Sequence, residues 1–168
     1  MASGKTLTEF ERGYVSGIID GEGWVGVSCS GTPFKKYPFY KQCSPRVEIA
    51  MADEKTIKHI ANLCGTKHFV SWKNWRDSKG AKQKHEQWKI CLTTNHILNL
   101  FPQLTFITKR RQAEVIYEMV ALKRWIREFN FSSRKDCGDM MWKIIHNRLD
   151  QLTERVKAYN SYNWGEVA

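Results

Sequence analysis

The apolar and polar positions change period within the first thirty residues. In "TLTEFERGYVSGIIDGEGWVGVSCS", Thr8 stands three residues ahead of Glu11, a T-x-x-E pattern that predicts a helix from about Glu9. The helix should run to about Asp20, where Gly21 and Gly23 break it. From Trp24 the pattern alternates. Val25, Val27 and Cys29 point one way, and Trp24, Gly26, Ser28 and Ser30 the other, which predicts a half-buried strand. Residues 31–45 read as a loop or ragged hairpin arm, broken by Pro33, Pro38 and Pro45.

"RVEIAMA" alternates again, with Val47, Ile49 and Met51 inward and Arg46, Glu48 and Ala50 outward. Asp53 predicts an N-cap for a helix carrying Ile57, Ile60, Ala61 and Cys64 on one face and ending at Gly65. "KHFVSWKNW" reads as a strand whose register stays open. "EQWKICLT" alternates clearly, with Trp88, Ile90 and Leu92 on one side and Gln87, Lys89 and Cys91 on the other. The basic stretch between them reads as a hairpin tip. The last third is helical: a short helix cut at Pro102, then "KRRQAEVIYEMVALKRWIREF" with Ala113, Ile116, Tyr117, Val120 and Trp125 on one face. A final helix from about Gly138 to Tyr159 carries Trp142, Ile145, Leu149, Leu152 and Val156 as its stripe. The order α-β-β-α-β-β-α-α-α predicts a mixed α+β fold in a single domain, residues 1–168, and the opening stretch occurs once.

Charge narrows the partner. Twenty-seven Lys+Arg against seventeen Asp+Glu leave a net +10, which favours a polyanion, nucleic acid first. With 42% hydrophobic and 12% aromatic residues the chain has the composition of a packed globule. No run reaches eighteen apolar residues, so no membrane span is expected, and no secretory signal is visible. The five cysteines are scattered, without a C-x-x-C pair, which predicts reduced thiols in an intracellular protein.

On the first helix Gly13, Gly17 and Gly21 fall four apart with Ser16 beside them, so they lie along one face. Glycine within a helix costs about 1 kcal/mol relative to alanine. Such a stripe earns that cost where another backbone comes close, either inside the chain or from a second one. Beyond it, the Gly21 carbonyl and Glu22 carboxylate are hard oxygen donors of the kind that Mg²⁺ accepts. Ordinary polar turn residues would also account for Asp20 and Glu22.

"SGIIDGEGWVGV" resembles the signature of the LAGLIDADG homing endonucleases, in the single-motif, homodimeric branch, over about the first 125 residues. The resemblance implies an αββαββα fold with a saddle-shaped antiparallel sheet, to which the last helices are additions. It implies that two signature helices meet at a dyad through Gly13, Ser16 and Gly17. Glu22 and Gly21 would then hold Mg²⁺, with Mn²⁺ as another cation and Ca²⁺ as a non-catalytic substitute. Asp53 falls where the family carries a water-positioning polar residue, and Lys109 where it carries an active-site lysine. Ser16, Glu22 and Asp53 depart from the commonest family residues at their positions. The implied activity is cleavage of both strands of a long pseudo-palindromic duplex, leaving short 3′ overhangs.

An antiparallel ribbon fits the major groove, which makes Ser28, Ser30, Arg46, Glu48, Gln87 and Lys89 candidate base readers. Each equally suits a solvated strand face. Lys73, with Arg76, Lys79, Lys82 and Lys84, suits phosphate contacts. Two rival readings keep the same scaffold: a maturase that binds intron RNA, and a DNA binder that has lost cleavage. The chain has no phosphate-binding G-x-x-x-x-G-K loop and no G-x-S-x-G elbow. His59, Cys64 and His68 lack a fourth zinc ligand at matching spacing.

Overall fold

A computed structural model describes residues 6–29, 43–71, 87–129 and 134–161. Their order is α1 (Glu9–Glu22), β1 (Gly23–Cys29), β2 (Cys43–Met51), α2 (Glu54–Cys64), β3 (His68–Ser71), β4 (Gln87–Leu92), α3 (Thr94–Leu100), a 3₁₀ turn (Phe101–Gln103), α4 (Arg110–Glu128) and α5 (Arg134–Ser161). The expected α+β order is therefore present, with the strands in one sheet ordered β1-β2-β4-β3. The chain groups into two compact units, Met1–Val25 with Val47–Lys109, and Gly26–Arg46 with Arg110–Ala168.

In the first unit local chemistry sets the element ends. Thr8 and Glu11 close a reciprocal capping box on α1: the Thr8 N–H donates to Glu11 Oε2 at 2.8 Å and the Glu11 N–H to Thr8 Oγ1 at 3.3 Å. α1 outlasts the expected end by two residues, through Gly21 to Glu22. The backbone turns extended at Gly23, where a φ of −77° is open to any residue but space admits only glycine. A Cβ there would lie 2.7 Å from the Ile19 carbonyl oxygen. α2 ends at Gly65 in the left-handed region, φ 64°, while the Thr66 N–H returns to the Ala61 carbonyl at 2.9 Å.

β2 pairs antiparallel with β4, Ile49 opposite Ile90 and Val47 opposite Leu92, and β3 pairs with β4, Phe69 opposite Lys89. That pairing settles the register of β3. Val15, Ile19, Val47, Ile49, Ile57, Ile60, Ile90, Leu92 and Ile97 are completely buried, and removing each such side chain from water is worth about 1.5–3 kcal/mol. The opposite face of β2 and β4 is half-exposed at Glu48, Ala50, Gln87, Lys89 and Cys91.

The second unit contains the α4–α5 pair. Ala113, Val115, Ile116, Met119 and Val120 are the buried face of α4. Tyr117 and Trp125, expected on that face, are exposed; the rings lie to one side of a stripe that Met119 and Val115 complete. Ile145, Leu149, Leu152 and Val156 form the buried stripe of α5, as the spacing predicts, and Arg148 pairs with Glu118 of α4. Gly138, the expected start of the last helix, breaks α5 at φ 72°. Cys29 and Cys43 form a disulfide, which overturns the expectation of reduced thiols throughout. Two neighbouring strand ends bring together cysteines that are fourteen residues apart, a proximity absent from their spacing. No helix among the described residues is long and apolar enough to cross a membrane.

Candidate functional site

The end of α1 gathers more chemistry than any other place in the first unit. The last carbonyls of a helix have no partner of their own and mark the negative end of its dipole. α1 has no basic residue in its last turn to offset that. Lys109 supplies the charge from elsewhere in the chain. Its ammonium donates to the Ile19 carbonyl at 2.9 Å, to the Asp20 carbonyl, and at 3.5 Å to the Gly21 carbonyl. Burial lowers the Lys109 pKa, opposed by the negative charges of Asp20 and Glu22. Glu22 is exposed at the last helical position. Glu22, the Gly21 carbonyl and Lys109 are thus brought together, although Lys109 is 88 residues from Gly21.

Asp20 is the residue whose importance the sequence understated. Its carboxylate accepts the N–H of Ile107 at 2.6 Å and that of Lys109 at 3.1 Å. Its carbonyl also accepts the Thr108 hydroxyl at 3.2 Å. One turn earlier, Ser16 Oγ accepts the Thr105 N–H at 3.1 Å. Alternate N–H groups at 105, 107 and 109 are therefore received by two side chains four apart on α1. The i, i+4 spacing of a serine and an aspartate in "SGIID" was the available signal, though it does not say which segment they hold.

Ser16, expected in a dimer face, is buried, its hydroxyl is engaged within the chain, and it lines the same groove as Gly13 and Gly17. Gly13 and Gly17 differ. A Cβ added at Gly13, Gly17 or Gly21 would meet nothing within 4 Å, so the stripe is not used for packing against any described residue. Phe10 and Ile107 are 81% and 83% exposed. A groove lined by Gly13, Gly17, Gln103, Thr105 and Ile107 runs beside the stripe.

Asp53 takes its predicted N-cap place. Its carboxylate accepts the N–H of Thr56 at 2.9 Å, the N–H of Lys55 at 3.3 Å and the Thr56 hydroxyl. The Thr56 hydroxyl, followed by its N–H, holds the Asp53 carboxyl below the usual aspartate pKa. Both oxygens are thus engaged by α2 itself. Among the candidate base readers, Glu48 and Lys89 form an ion pair across β2 and β4. Glu48 therefore presents to solvent as half of a pair, in place of the lone acceptor that its strand position suggested. Gln87 is half-buried on the same strand as Lys89, and Phe69, which the spacing did not single out, lies opposite Lys89 and is 47% exposed. Ser28 and Arg46 are half-buried. Ser30 and Lys73 lie outside the described residues, as do Arg76, Lys79, Lys82 and Lys84.

The residues at the end of α1 suit a hard divalent cation. The Lys109 ammonium, on the Ile19, Asp20 and Gly21 carbonyls, places a positive charge at this helix end. No cluster of three or more acidic, histidine or cysteine side chains occurs among the described residues. The Glu22 carboxylate and the Gly21 carbonyl are hard oxygen donors, the class that Mg²⁺ accepts.

No protein-family model and no curated protein matches the sequence. Solved structures do match in fold. The archaeal intron-encoded homing endonuclease I-Vdi141I, complexed with DNA, aligns over 95% of this chain and 90% of its own, with a TM-score of 0.67 at 16% identity. The homing endonuclease I-CvuI, in complex with its target in the presence of calcium, aligns over 90% of this chain and 82% of its own, with a TM-score of 0.56 at 13% identity. I-SmaMI, bound to an uncleaved DNA target with calcium ions, aligns over 91% of this chain but 46% of its own, with a TM-score of 0.60 at 13% identity.

Proposed function

We propose that this chain, which has the LAGLIDADG homing-endonuclease fold, is a metal-dependent DNA endonuclease. It acts as a homodimer on a long pseudo-palindromic duplex and cuts both strands, leaving short 3′ overhangs. The observation that carries the reading is the meeting of Glu22, the Gly21 carbonyl and the Lys109 ammonium at one helix end. A carboxylate and a carbonyl there would hold Mg²⁺, and a cation so held would activate water and stabilise charge at phosphorus. Lys109, already seated at this end, carries a charge suited to a phosphate oxygen, which it would meet by giving up one of its helix carbonyls. Asp53 keeps its capping role in this scheme, because its oxygens are already engaged.

The bare face at Gly13 and Gly17 supports the homodimer. Three glycines on an exposed helix face cost about 1 kcal/mol each relative to alanine, and no described residue recovers that by packing on them. A second copy of the same helix would, and would set two Glu22 residues near a common axis. The half-exposed face of β2 and β4 suits the major groove, with Gln87 and the Glu48–Lys89 pair as polar contacts. The net charge of +10 supports binding to the duplex.

The test is digestion of a library of randomised and intron-insertion-site duplexes by wild-type protein in Mg²⁺, in EDTA, and by Glu22→Gln in Mg²⁺. Cutting is expected in the first condition alone. Cutting that persists in Glu22→Gln places the chemistry elsewhere. RNA of the host intron held tightly in EDTA, with no duplex cut in Mg²⁺, would turn the reading to a splicing cofactor.

A further inference from the structure

We infer that Asp20 is a positioning residue for the cleavage reaction: through the Ile107 and Lys109 backbone it sets the Lys109 ammonium at the end of α1. The inference rests on the nuclease reading above and concerns the acid of the signature stretch to which that reading gives no part in the chemistry.

Lysine carries four methylenes, and an exposed one samples many rotamers, so a lone ammonium is poorly placed to meet a phosphate at a fixed point. Lys109 is restrained at both ends. Its N–H donates to Asp20 at 3.1 Å and its ammonium to the Asp20 carbonyl. One residue therefore grips the backbone with its carboxylate and receives the side chain with its carbonyl. The Ile107 N–H at 2.6 Å and the Thr108 hydroxyl at 3.2 Å complete the grip. Ser16 extends it to Thr105, so that residues 105–109 run along α1 as far as Glu22. A carboxylate suits this task because it is acceptor-only and faces two donors, whereas asparagine would offer one oxygen and turn an N–H₂ toward the other N–H.

This account separates the two acids of "DGE". Glu22 is exposed and meets cation and substrate, while Asp20 meets only its own chain. Loss of Asp20 should therefore slow cleavage without weakening the hold on DNA. Its effect should also vanish once Lys109 is gone, since Asp20 acts through it.

The experiment is a double-mutant cycle in single-turnover cleavage of the identified target, with DNA affinity measured separately in Ca²⁺. Asp20→Asn should slow cleavage about tenfold and Asp20→Ala about a hundredfold, with affinity unchanged within about twofold. In the Lys109→Met background Asp20→Asn should cost nothing further. Additive losses, or losses confined to affinity, overturn the inference. Amide exchange in the wild-type protein decides the matter if the Asp20 variants fail to fold: the Ile107 and Lys109 amides should be protected, and exchange at the rate of an open loop overturns the clamp. If Glu22→Gln still cuts, the nuclease site is misplaced, yet the amide result stands on its own.

Discussion

The Lys109 ammonium donates to the Ile19 carbonyl at 2.9 Å across 90 residues of sequence. A positive charge is thereby carried to a helix terminus that has no basic residue of its own, and the segment bearing it is laid along the same helix. From this relationship follow the consequences for catalysis, while the caps, glycines and cysteines around it yield consequences for stability and assembly.

Replacing Lys109 by Met keeps the apolar stem and removes the charge. Single-turnover cleavage is expected to fall roughly 100-fold, the loss typical of one donor aimed at developing charge. Because the ammonium offsets the carbonyl end of α1, the melting temperature should fall by no more than a few degrees. A large fall in melting temperature with cleavage unchanged would make Lys109 a structural residue only.

Gly17→Leu tests the bare face of α1. A Cβ added there meets no described atom outside its own helix backbone within 4 Å, so the monomer should retain its helical circular dichroism. Sedimentation should show monomer where wild type shows dimer, and cutting of both strands should be lost. A dimer that survives the substitution would place the interface elsewhere.

Asp53→Ala removes the cap of α2. Melting should drop by a few degrees while cleavage by the folded fraction stays within about twofold. The sign with pH follows from the lowered Asp53 pKa. The stability that it contributes is complete above the unfolded value of 3.8 and is lost as pH falls through the folded one. The gap between wild type and variant should therefore narrow in acid. A cleavage loss of orders of magnitude at unchanged melting would return Asp53 to the reaction.

The Cys29–Cys43 disulfide closes a loop of fourteen residues. Chain entropy alone assigns about 3 kcal/mol to a loop of that size. Cys29→Ser should lose stability of that order in urea unfolding without reductant, and wild type in dithiothreitol should match it. Identical curves with and without reductant would show that the bridge does not form in solution.

Cys64 behaves differently. Burial pushes its thiol up to about 12 from 9.0, so the folded protein keeps the proton longer than the unfolded chain does. Its contribution is complete below pH 9.0 and is lost as pH rises toward 12. Relative to Cys64→Ala, wild type should lose on the order of 1 kcal/mol by pH 10. At pH 8 alkylation should reach half-exposed Cys91 long before Cys64. Equal labelling of the two would contradict the burial of α2.

Much of the fold was legible because its signals are local. The Thr8–Glu11 box, the Asp53 cap and the Gly65 stop each act over four residues or fewer, and each appears where the pattern puts it. β2 alternates over Arg46–Ala50 as expected, but it begins at Cys43, within the expected loop, and Met51 is half-buried. The stripe of α5 was read from spacing alone. Errors arose where a residue's environment came from far away. Tyr117 and Trp125 were assigned inward by period, yet long amphipathic rings settle at the margin of a face. Glu48 and Lys89 were read as separate contacts because strand order, which puts β4 beside β2, cannot be counted along the chain.

By itself the sequence determined the order of elements, the caps of α1 and α2, and the collection of glycines and acids at the end of one helix, because caps, helical stripes and strand alternation are set by neighbours within a turn or two. Only the tertiary structure decided that residues 103–109 lie along α1, that Ser16 is engaged inside the chain while Gly17 is bare, and that Cys29 meets Cys43. Those outcomes depend on which distant segments pack together. That choice is made by the burial of the whole apolar surface, and no local spacing records it.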